Sequence, residues 1–319
     1  MPRPLSIPSL DLGTRVHDVF LVMDVDARTS GTGEPYTILT LGNSTGQIAT
    51  APFWLEQQDQ IAGLRRGHVV QVIGDVVSYR DRKQIKVISI RHLPEGSVDV
   101  RSLLPSVGSV DKYWETLDSW RKEISKPRLA AVVNLFYEDE DFRRRYEQCP
   151  ASVRGHHAAI GGLLKHTVEV AAIARTLART SGADLELVVA GALLHDIGKL
   201  ESYTWDGLFD HTEAGILIGH VVLGAIMLDR RLAQEKNPPC TERERDILMH
   251  FILSHHGKLE FGSPVPPRTL EAEVLHWADN ASATTADLAE TLDQEKRYWE
   301  REGRRLYPVS SDWGARDKR

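Results

Sequence analysis

The sequence has only two cysteines, Cys149 and Cys240, among 319 residues. That count excludes a disulfide framework and a cysteine-rich zinc site. No apolar run approaches the roughly 18 residues that a membrane-spanning helix needs, and residues 1–5 lack the apolar core of a secretory signal peptide. We therefore expect a cytoplasmic protein that makes no contact with a membrane.

A surplus of positive charge is also missing, because the formal net charge is −6. That value argues mildly against a nucleic-acid-binding protein, since phosphate contacts need Lys and Arg. The distribution of charge weakens this argument, because residues 65–92 hold seven Lys and Arg residues against two Asp residues. The length and the hydrophobic share of 41% are those of an ordinary globular protein with room for two domains.

Short strands follow one another between residues 14 and 93, after a proline-containing tail at residues 1–13. Alternating apolar residues and turn-forming residues predict strands at 16–25, 36–41, 47–53, 68–77 and 84–90, with a short helix at 56–64. Five strands with one helix after the third predict an OB-type β-barrel.

The predicted hairpin between the last two strands carries three basic residues, Arg80, Arg82 and Lys83. Barrels of this type often bind oligonucleotides at such loops. Nearby aromatic residues are candidates for stacking with bases: Phe53, Trp54 and Tyr79. A barrel whose basic loop is merely solvated explains the segment equally well.

The remainder of the chain has helical periodicity. Residues 94–155 are predicted to form a linker and three buttressing helices, at 110–124, 128–137 and 139–147. Five further helices are predicted within residues 156–290, at 158–180, 185–197, 213–232, 242–255 and 270–286. Residues 291–319 are expected to be a helix end and a polar tail. The predicted fold is a multi-domain α+β protein, with the barrel followed by an all-α domain.

A His-Asp pair follows an apolar run at the end of one predicted helix. Residues 187–194 are almost entirely apolar, and His195 and Asp196 come directly after them. Burying an ionised carboxylate costs several kcal/mol unless it is paired or binds a metal. Lys199 follows Asp196 by three residues and so shares its helix face. Polar capping of a helix end is the alternative explanation of the pair taken alone.

Four other metal-competent residues interrupt apolar helix faces: His166, His220, His255 and Asp279. A single His on an apolar face is usually a hydrogen-bonded core residue, but the whole set is hard to explain in that way. Together with the His-Asp pair it provides nitrogen and oxygen ligands for two divalent metals. Asp196 is suited to bridge the metals, because a carboxylate has two oxygens.

The order of these residues resembles the HD-domain metallohydrolase superfamily. Further segments resemble the YhaM-type 3′→5′ exoribonucleases, which join an N-terminal OB-fold to an HD domain: HHA at 156–158, GGLLKHT at 161–167, ILSHHG at 252–257 and EFGSP at 260–264. The resemblance extends from about residue 14 to about residue 290. It implies an OB-type β-barrel followed by an all-α HD domain at residues 156–290.

The resemblance also implies how the ligands are divided. One metal would take His166, His195, Asp196 and Asp279, and the other would take Asp196, His220 and His255. Gly162 stands where relatives with three metals carry a Glu ligand, so two metals are expected. With no Cys ligands the metals are expected to be Mn²⁺, with Fe²⁺ or Co²⁺ left open.

Three more residues are predicted to act at this site. Lys199 would neutralise charge on the substrate phosphate. His256 cannot share the direction of His255 on a helix, so it either supports a metal ligand or contacts a phosphate. By resemblance, His157 lies on the substrate side. The residues after Asp279, at 280–285, depart from the family pattern, so the wall of the substrate site differs.

The predicted function is a metal-dependent 3′→5′ exonuclease of single-stranded RNA, with DNA left open as a second substrate. A hydroxide activated between two metals would release nucleoside 5′-monophosphates, while the barrel holds the strand. Two alternatives remain. The HD domain hydrolyses small nucleotides or cyclic dinucleotides and the barrel regulates it, or the protein binds nucleic acid without catalysis. A homo-oligomer is also left open.

Overall fold

The computed structural model describes residues 5–80, 82–155, 157–292, 299–301 and 304–307. Its N-terminal part is built from six strands: β1 Arg15–Thr29, β2 Pro35–Asn43, β3 Gly46–Thr50, β4 Phe53–Trp54, β5 Val69–Tyr79 and β6 Arg82–His92. A 3₁₀ helix at Leu55–Ile61 follows β4, where the sequence predicts a helix at 56–64.

Five of these strands close into a barrel. β1 pairs antiparallel with β2 and β5, β5 pairs with β6, and β3 pairs with β2. The ring is completed by a parallel pairing of β3 with β6, through Ala49 opposite Gln84 and Thr50 opposite Ile85. The order β1-β2-β3-β6-β5 is the topology of an OB barrel, so the predicted fold of this part is confirmed.

The following part is mainly helical: α1 Asp111–Lys122, α2 Pro127–Tyr137, α3 Glu140–Tyr146, α4 Gly162–Ser181, α5 Leu185–Leu194, α6 Lys199–Ser202, α7 Glu213–Leu217, α8 His220–Gln234, α9 Glu242–Ser254 and α10 Leu270–Leu292. Two short hairpins are also present: β7 Tyr203–Thr204 with β8 Asp210–His211, and β9 Trp299–Arg301 with β10 Arg304–Leu306. The second hairpin lies where the sequence predicts a polar tail. An all-α domain after the barrel is otherwise as predicted.

Two glycines explain two of the differences between the helices and the sequence prediction. Gly161 has φ +81°, which ends the preceding loop, so α4 begins at Gly162 rather than at residue 158. Gly219 has φ +81° and ψ 150°, and it divides the helix predicted at 213–232 into α7 and α8. A left-handed backbone of this kind favours glycine because other residues carry a Cβ. The second break places His220 at the first position of α8.

The barrel packs against the helical part. Leu21 and Val69 of the barrel belong to the same buried apolar cluster as the helical core. Arg66 also donates from Nη1 to Oδ2 of Asp210 in the β7–β8 hairpin at 2.7 Å. These contacts cross the predicted boundary between residues 93 and 94, so that boundary stays a prediction. The same holds for the other boundaries, at residues 13, 155 and 290.

Within the described ranges, no helix combines the length and the apolar character that crossing a lipid bilayer requires.

Candidate metal centre

Five chain segments bring the predicted ligands to one buried point. His166 lies in α4, His195 and Asp196 in the turn after α5, and His220 begins α8. His255 directly follows α9, and Asp279 lies in α10. The side chains of His195 and His255 are fully buried, whereas 17% of the His220 side chain is exposed. The structure therefore brings all six predicted ligands together.

The two oxygens of Asp196 face different ligands. Oδ2 lies 3.2 Å from Nε2 of His195 and 3.5 Å from Nε2 of His166. Oδ1 lies 3.4 Å from Nε2 of His220 and 3.6 Å from Nε2 of His255. Asp279 completes the first group, since its Oδ1 is 3.1 Å from Nε2 of His166. These groups match the division that the resemblance implies, while the metal assignments stay a prediction.

Hydrogen bonds at the far side of two imidazoles prepare them as ligands. His195 donates from Nδ1 to the carbonyl of Ala192, and His255 donates from Nδ1 to the carbonyl of Ile252, both at 2.7 Å. A carbonyl can only accept, so Nδ1 carries the proton and Nε2 keeps its lone pair. Such bonds to the second ring nitrogen are typical of metal-bound His.

Buried polar atoms without partners test whether this site suits a metal. Asp196 Oδ1, His220 Nε2 and His255 Nε2 are buried, and none has a hydrogen-bond partner among the residues that the structure describes. Leaving such atoms unsatisfied costs about 1–3 kcal/mol each. A divalent cation would satisfy all three at once, so these residues fit a metal.

The charges at the site also bear on metal binding. Burial alone raises the pKa of Asp196, but Lys199, whose Nζ is 2.5 Å from Oδ2, and His195 outweigh it and hold the pKa well below its usual range. Burial lowers the pKa of His220 to about 3 and that of His255 well below its usual value. Metal ligands must be ionised carboxylates and neutral imidazoles, and this environment favours the ionised form of Asp196 and the neutral forms of His220 and His255. His195 differs, because burial, which lowers its pKa, is outweighed by Asp196 and Asp279, which raise it.

The other predicted site histidines lie beside the ligands. The His256 ring lies 4.2 Å from that of His255 and 5.0 Å from that of His220, and its Nδ1 donates to the carbonyl of Phe261 at 2.6 Å. His157 is buried, with Nε2 2.7 Å from Oε2 of Glu169. The proposed contacts of His157 and His256 with substrate stay predictions. A further histidine, His276, donates from Nδ1 to the carbonyl of His255 at 2.8 Å.

Sequence reasoning missed two residues next to the ligands. Ser282 Oγ lies 3.2 Å from Nδ1 of His166 and donates to Oε2 of Glu169 at 3.1 Å. Helical spacing places Glu169 one turn after His166 and Ser282 one turn after Asp279, but spacing alone does not show that either contacts a ligand.

Gly162 has a structural reason beyond the absence of a ligand. A Cβ at this position would lie 2.0 Å from the carbonyl oxygen of His157. Any side chain here, a Glu included, would displace the loop that carries His157. The close approach of that loop to α4 is therefore a second explanation for a glycine at this position, besides the absence of a third metal.

The predicted basic hairpin borders a groove on the barrel. A cavity of about 860 Å³ is lined by Arg80 and Arg82, together with Arg28 and the aromatic residues Tyr36, Trp54 and Tyr79. Trp54 is 37% exposed and Tyr79 is 59% exposed. The Tyr36 and Trp54 rings lie 5.1 Å apart, and the Arg80 guanidinium lies 5.2 Å from the centre of the Tyr79 ring.

One expectation about this groove needs correction. Phe53 is wrong as a stacking residue, because it is 2% exposed and belongs to the barrel core. Side chains alternate along a strand, so Trp54 faces outward when Phe53 faces inward. Lys83 does not border the cavity, and its Nζ donates to the carbonyl of Leu10 at 2.5 Å. Its contact with substrate stays a prediction. Tyr36 is the aromatic residue that the sequence analysis missed.

A second cleft lies between the barrel and the helical part. It has a volume of about 480 Å³, and its lining includes Thr40 and Gln47 from the barrel and Arg154 and Gly155 from the loop before His157. Tyr36 and Ile38 of β2 line the first groove, and Thr40 of the same strand lines the second cleft. These three alternate residues therefore connect the groove with the cleft. Alternate residues share one face of a strand.

Comparison with known proteins gives matches to a family model, to similar proteins and to solved structures. The family model described as "HD domain" matches residues 163–284. The protein named "3'-5' exoribonuclease YhaM" from Bacillus velezensis is 30% identical over 289 residues, which cover 90% of each chain. The protein of the same name from Shouchella clausii is 30% identical over 279 residues, covering 85% of this chain and 84% of that one.

Among solved structures, a domain of replication protein A from Methanococcus maripaludis is 21% identical, covering 28% of this chain and 96% of that one, with a TM-score of 0.24. A score that low adds nothing to the strand pairing described above.

Proposed function

The chain belongs to the family of the 3′-5′ exoribonuclease YhaM, and from that premise we propose that it shortens single-stranded RNA from the 3′ end and releases nucleoside 5′-monophosphates. It is a hydrolase whose HD domain implies dependence on divalent metal. The observation that carries the proposal is the placement of Asp196, whose two oxygens face two separate groups of buried ligands.

Two metals are proposed for this centre. His166, His195 and Asp279 would hold one with Oδ2 of Asp196, and His220 and His255 would hold the other with Oδ1. When bound, the metals supply the acidity that activates a water molecule and the charge that stabilises the transition state of phosphodiester hydrolysis. The nitrogen and oxygen donors, with no thiolate among them, favour Mn²⁺ and also suit Fe²⁺ or Co²⁺.

The chain's own residues would position and neutralise the substrate. Lys199 is a buried ammonium at the bridging carboxylate. Its charge would stabilise the extra negative charge that develops on the phosphate during hydrolysis. His220 is the ligand with an exposed edge, and the ring of His256 lies next to it. These two rings mark the side of the centre that a substrate would approach.

The burial of the ligands supports a single-stranded substrate. Four of the six ligands are almost completely enclosed by helices and loops: His166, His195, Asp196 and His255. A duplex is too wide and too stiff to approach such a point, whereas a flexible chain end can reach it. Entry by the 3′ end comes from the family relationship, and the geometry is compatible with it.

The barrel is proposed to hold the RNA upstream of the cut. Aromatic side chains stack with bases of any sequence, and Arg side chains contact phosphates. The groove at Trp54 contains both aromatic and Arg side chains. From there the alternate β2 residues Tyr36, Ile38 and Thr40 extend over about 13 Å to the cleft that Arg154 borders. Single-stranded DNA offers the same phosphates and similar bases, so it is proposed as a second substrate of the same groove.

Trp54→Ala is expected to raise KM for single-stranded RNA by about tenfold, because one base stacked on an aromatic ring contributes about 1–3 kcal/mol. Hydrolysis of bis-p-nitrophenyl phosphate should not change, since this phosphodiester is too small to reach the barrel. Ile88→Ala is the matched control, as Ile88 is 51% exposed on β6 and does not border the groove. An unchanged KM in Trp54→Ala would show that RNA does not bind in this groove.

One set of reactions tests the proposed chemistry against its alternatives. Purified protein with Mn²⁺ is incubated separately with 5′-labelled single-stranded RNA, with mononucleotides and with cyclic dinucleotides. Progressive shortening of the RNA is the expected result. Hydrolysis of the small nucleotides alone would identify a nucleotide phosphohydrolase, and RNA binding without turnover would identify a non-catalytic protein.

A further inference from the structure

A chain of hydrogen bonds leads from a metal ligand to a carboxylate outside the ligand set. Ser282 donates its only hydroxyl proton to Oε2 of Glu169 at 3.1 Å. Its Oγ must therefore accept from Nδ1 of His166, which lies 3.2 Å away. His166 then carries its proton on Nδ1 and turns the lone pair of Nε2 toward Asp196 and Asp279.

This arrangement differs from the support of the other two buried His ligands. His195 and His255 each donate to a backbone carbonyl three residues earlier in their own segment. His166 depends instead on a side chain from another helix, because Ser282 lies in α10 and His166 lies in α4. Its orientation therefore depends on residues that a substitution can remove.

Glu169 joins three parts of the structure at one point. It lies in α4, its Oε2 receives Ser282 from α10, and the same oxygen is 2.7 Å from Nε2 of His157 in the preceding loop. His157 has φ +53°, an uncommon backbone conformation for a residue with a side chain. Its carbonyl oxygen also lies against Gly162. The carboxylate thus holds this loop and the ligand helix in a fixed relation.

We propose that Glu169 is a positioning residue of the metal centre and that it acts on His166 through the hydroxyl of Ser282. The inference rests on the proposed metal site and adds two residues to it. Glu169 contacts Ser282, His157 and Lys165, and none of these three is a predicted metal ligand. Removing either member of the relay should leave the ligands in place and loosen the orientation of one imidazole.

The test measures Mn²⁺ binding without RNA, by following the electron paramagnetic resonance signal of free Mn²⁺ as metal is added to metal-free protein. Ser282→Ala and Glu169→Ala should each weaken binding at one of the two sites by about tenfold or more, the usual effect of losing such a support. The double variant should bind no more weakly than the weaker single variant, because both changes break one relay.

Lys165→Met is the matched control. Lys165 lies 3.8 Å from the other oxygen of Glu169 and takes no part in the relay. A half-exposed ion pair of this kind contributes little, so Mn²⁺ affinity should stay within about twofold of the wild type. Ser282→Ala is the safer of the two relay variants for folding, since it removes one hydroxyl and places a good helix former in α10.

The results separate this inference from the proposed function. Wild-type affinity in both single variants, or losses that multiply in the double variant, would overturn the relay. If the variants weaken Mn²⁺ binding as expected but the wild-type protein fails to shorten RNA, only the proposed function is overturned. Absence of Mn²⁺ binding by the wild type would overturn the metal centre and the relay together.

Discussion

Asp196→Asn is expected to reduce turnover by roughly 10²–10⁴-fold and to leave fewer than two metals per chain. The amide is neutral and offers one oxygen, so it cannot bridge two groups of ligands that now face separate carboxylate oxygens. Breaking a buried ionic contact costs about 3–5 kcal/mol, and a loss of that size in the transition state corresponds to the stated change in rate.

Metal content after dialysis and the rate on bis-p-nitrophenyl phosphate measure both consequences. Asp229→Asn is the control, because Asp229 is a half-exposed carboxylate on the same helix as His220. Lys199→Ala is the informative comparison, since it should retain both metals and lose rate. Full occupancy with normal activity in Asp196→Asn would contradict the bridging role, and loss of metal in Lys199→Ala would make Lys199 structural.

Gly198→Ala is expected to disrupt the centre from outside the ligand set. A Cβ at Gly198 would lie 2.0 Å from the carbonyl oxygen of His220 and 2.4 Å from the amide nitrogen of Gly224. Both are backbone atoms of α8 and cannot move without moving the helix. Overpacking of this kind costs about 3 kcal/mol, and displacement of α8 would carry His220 away from Asp196.

Thermal unfolding and Mn²⁺ titration of the Gly198→Ala protein check this prediction. The free energy of unfolding should fall by about 3 kcal/mol, and one metal should bind much more weakly. A Cβ at Gly207 meets nothing within 4 Å, so Gly207→Ala should change stability by only about 0.5 kcal/mol. Wild-type stability and metal binding in Gly198→Ala would show that α8 can shift at little cost.

The sequence is sufficient to predict which side chains meet at the candidate metal centre, because each one breaks a strong pattern. The sequence places His166, His220, His255 and Asp279 at helical spacing among mainly apolar residues, and such positions face the core. The barrel is predictable for a similar reason, because alternating residues and turn signals define strands one at a time. Its closure follows from the number and order of those strands.

The relay and the helix break could not be predicted in this way. Glu169 and Ser282 are polar residues in helices, and helical spacing alone does not tell whether they face solvent or a ligand from another helix. The break at Gly219 depends on its backbone conformation, since an isolated glycine is tolerated inside many helices. Phe53 and Trp54 show the same limit, because a two-residue strand is too short to reveal which aromatic faces inward.

Degradation of a 5′-labelled single-stranded RNA in Mn²⁺, resolved over time, tests the central claim most directly. Removal of nucleotides from the 3′ end predicts labelled products that shorten step by step from full length. A 3′-terminal phosphate or a stable 3′ hairpin should slow the reaction strongly, and a block at the 5′ end should not. Immediate release of a labelled mononucleotide, or cleavage of a circular RNA, would contradict the account.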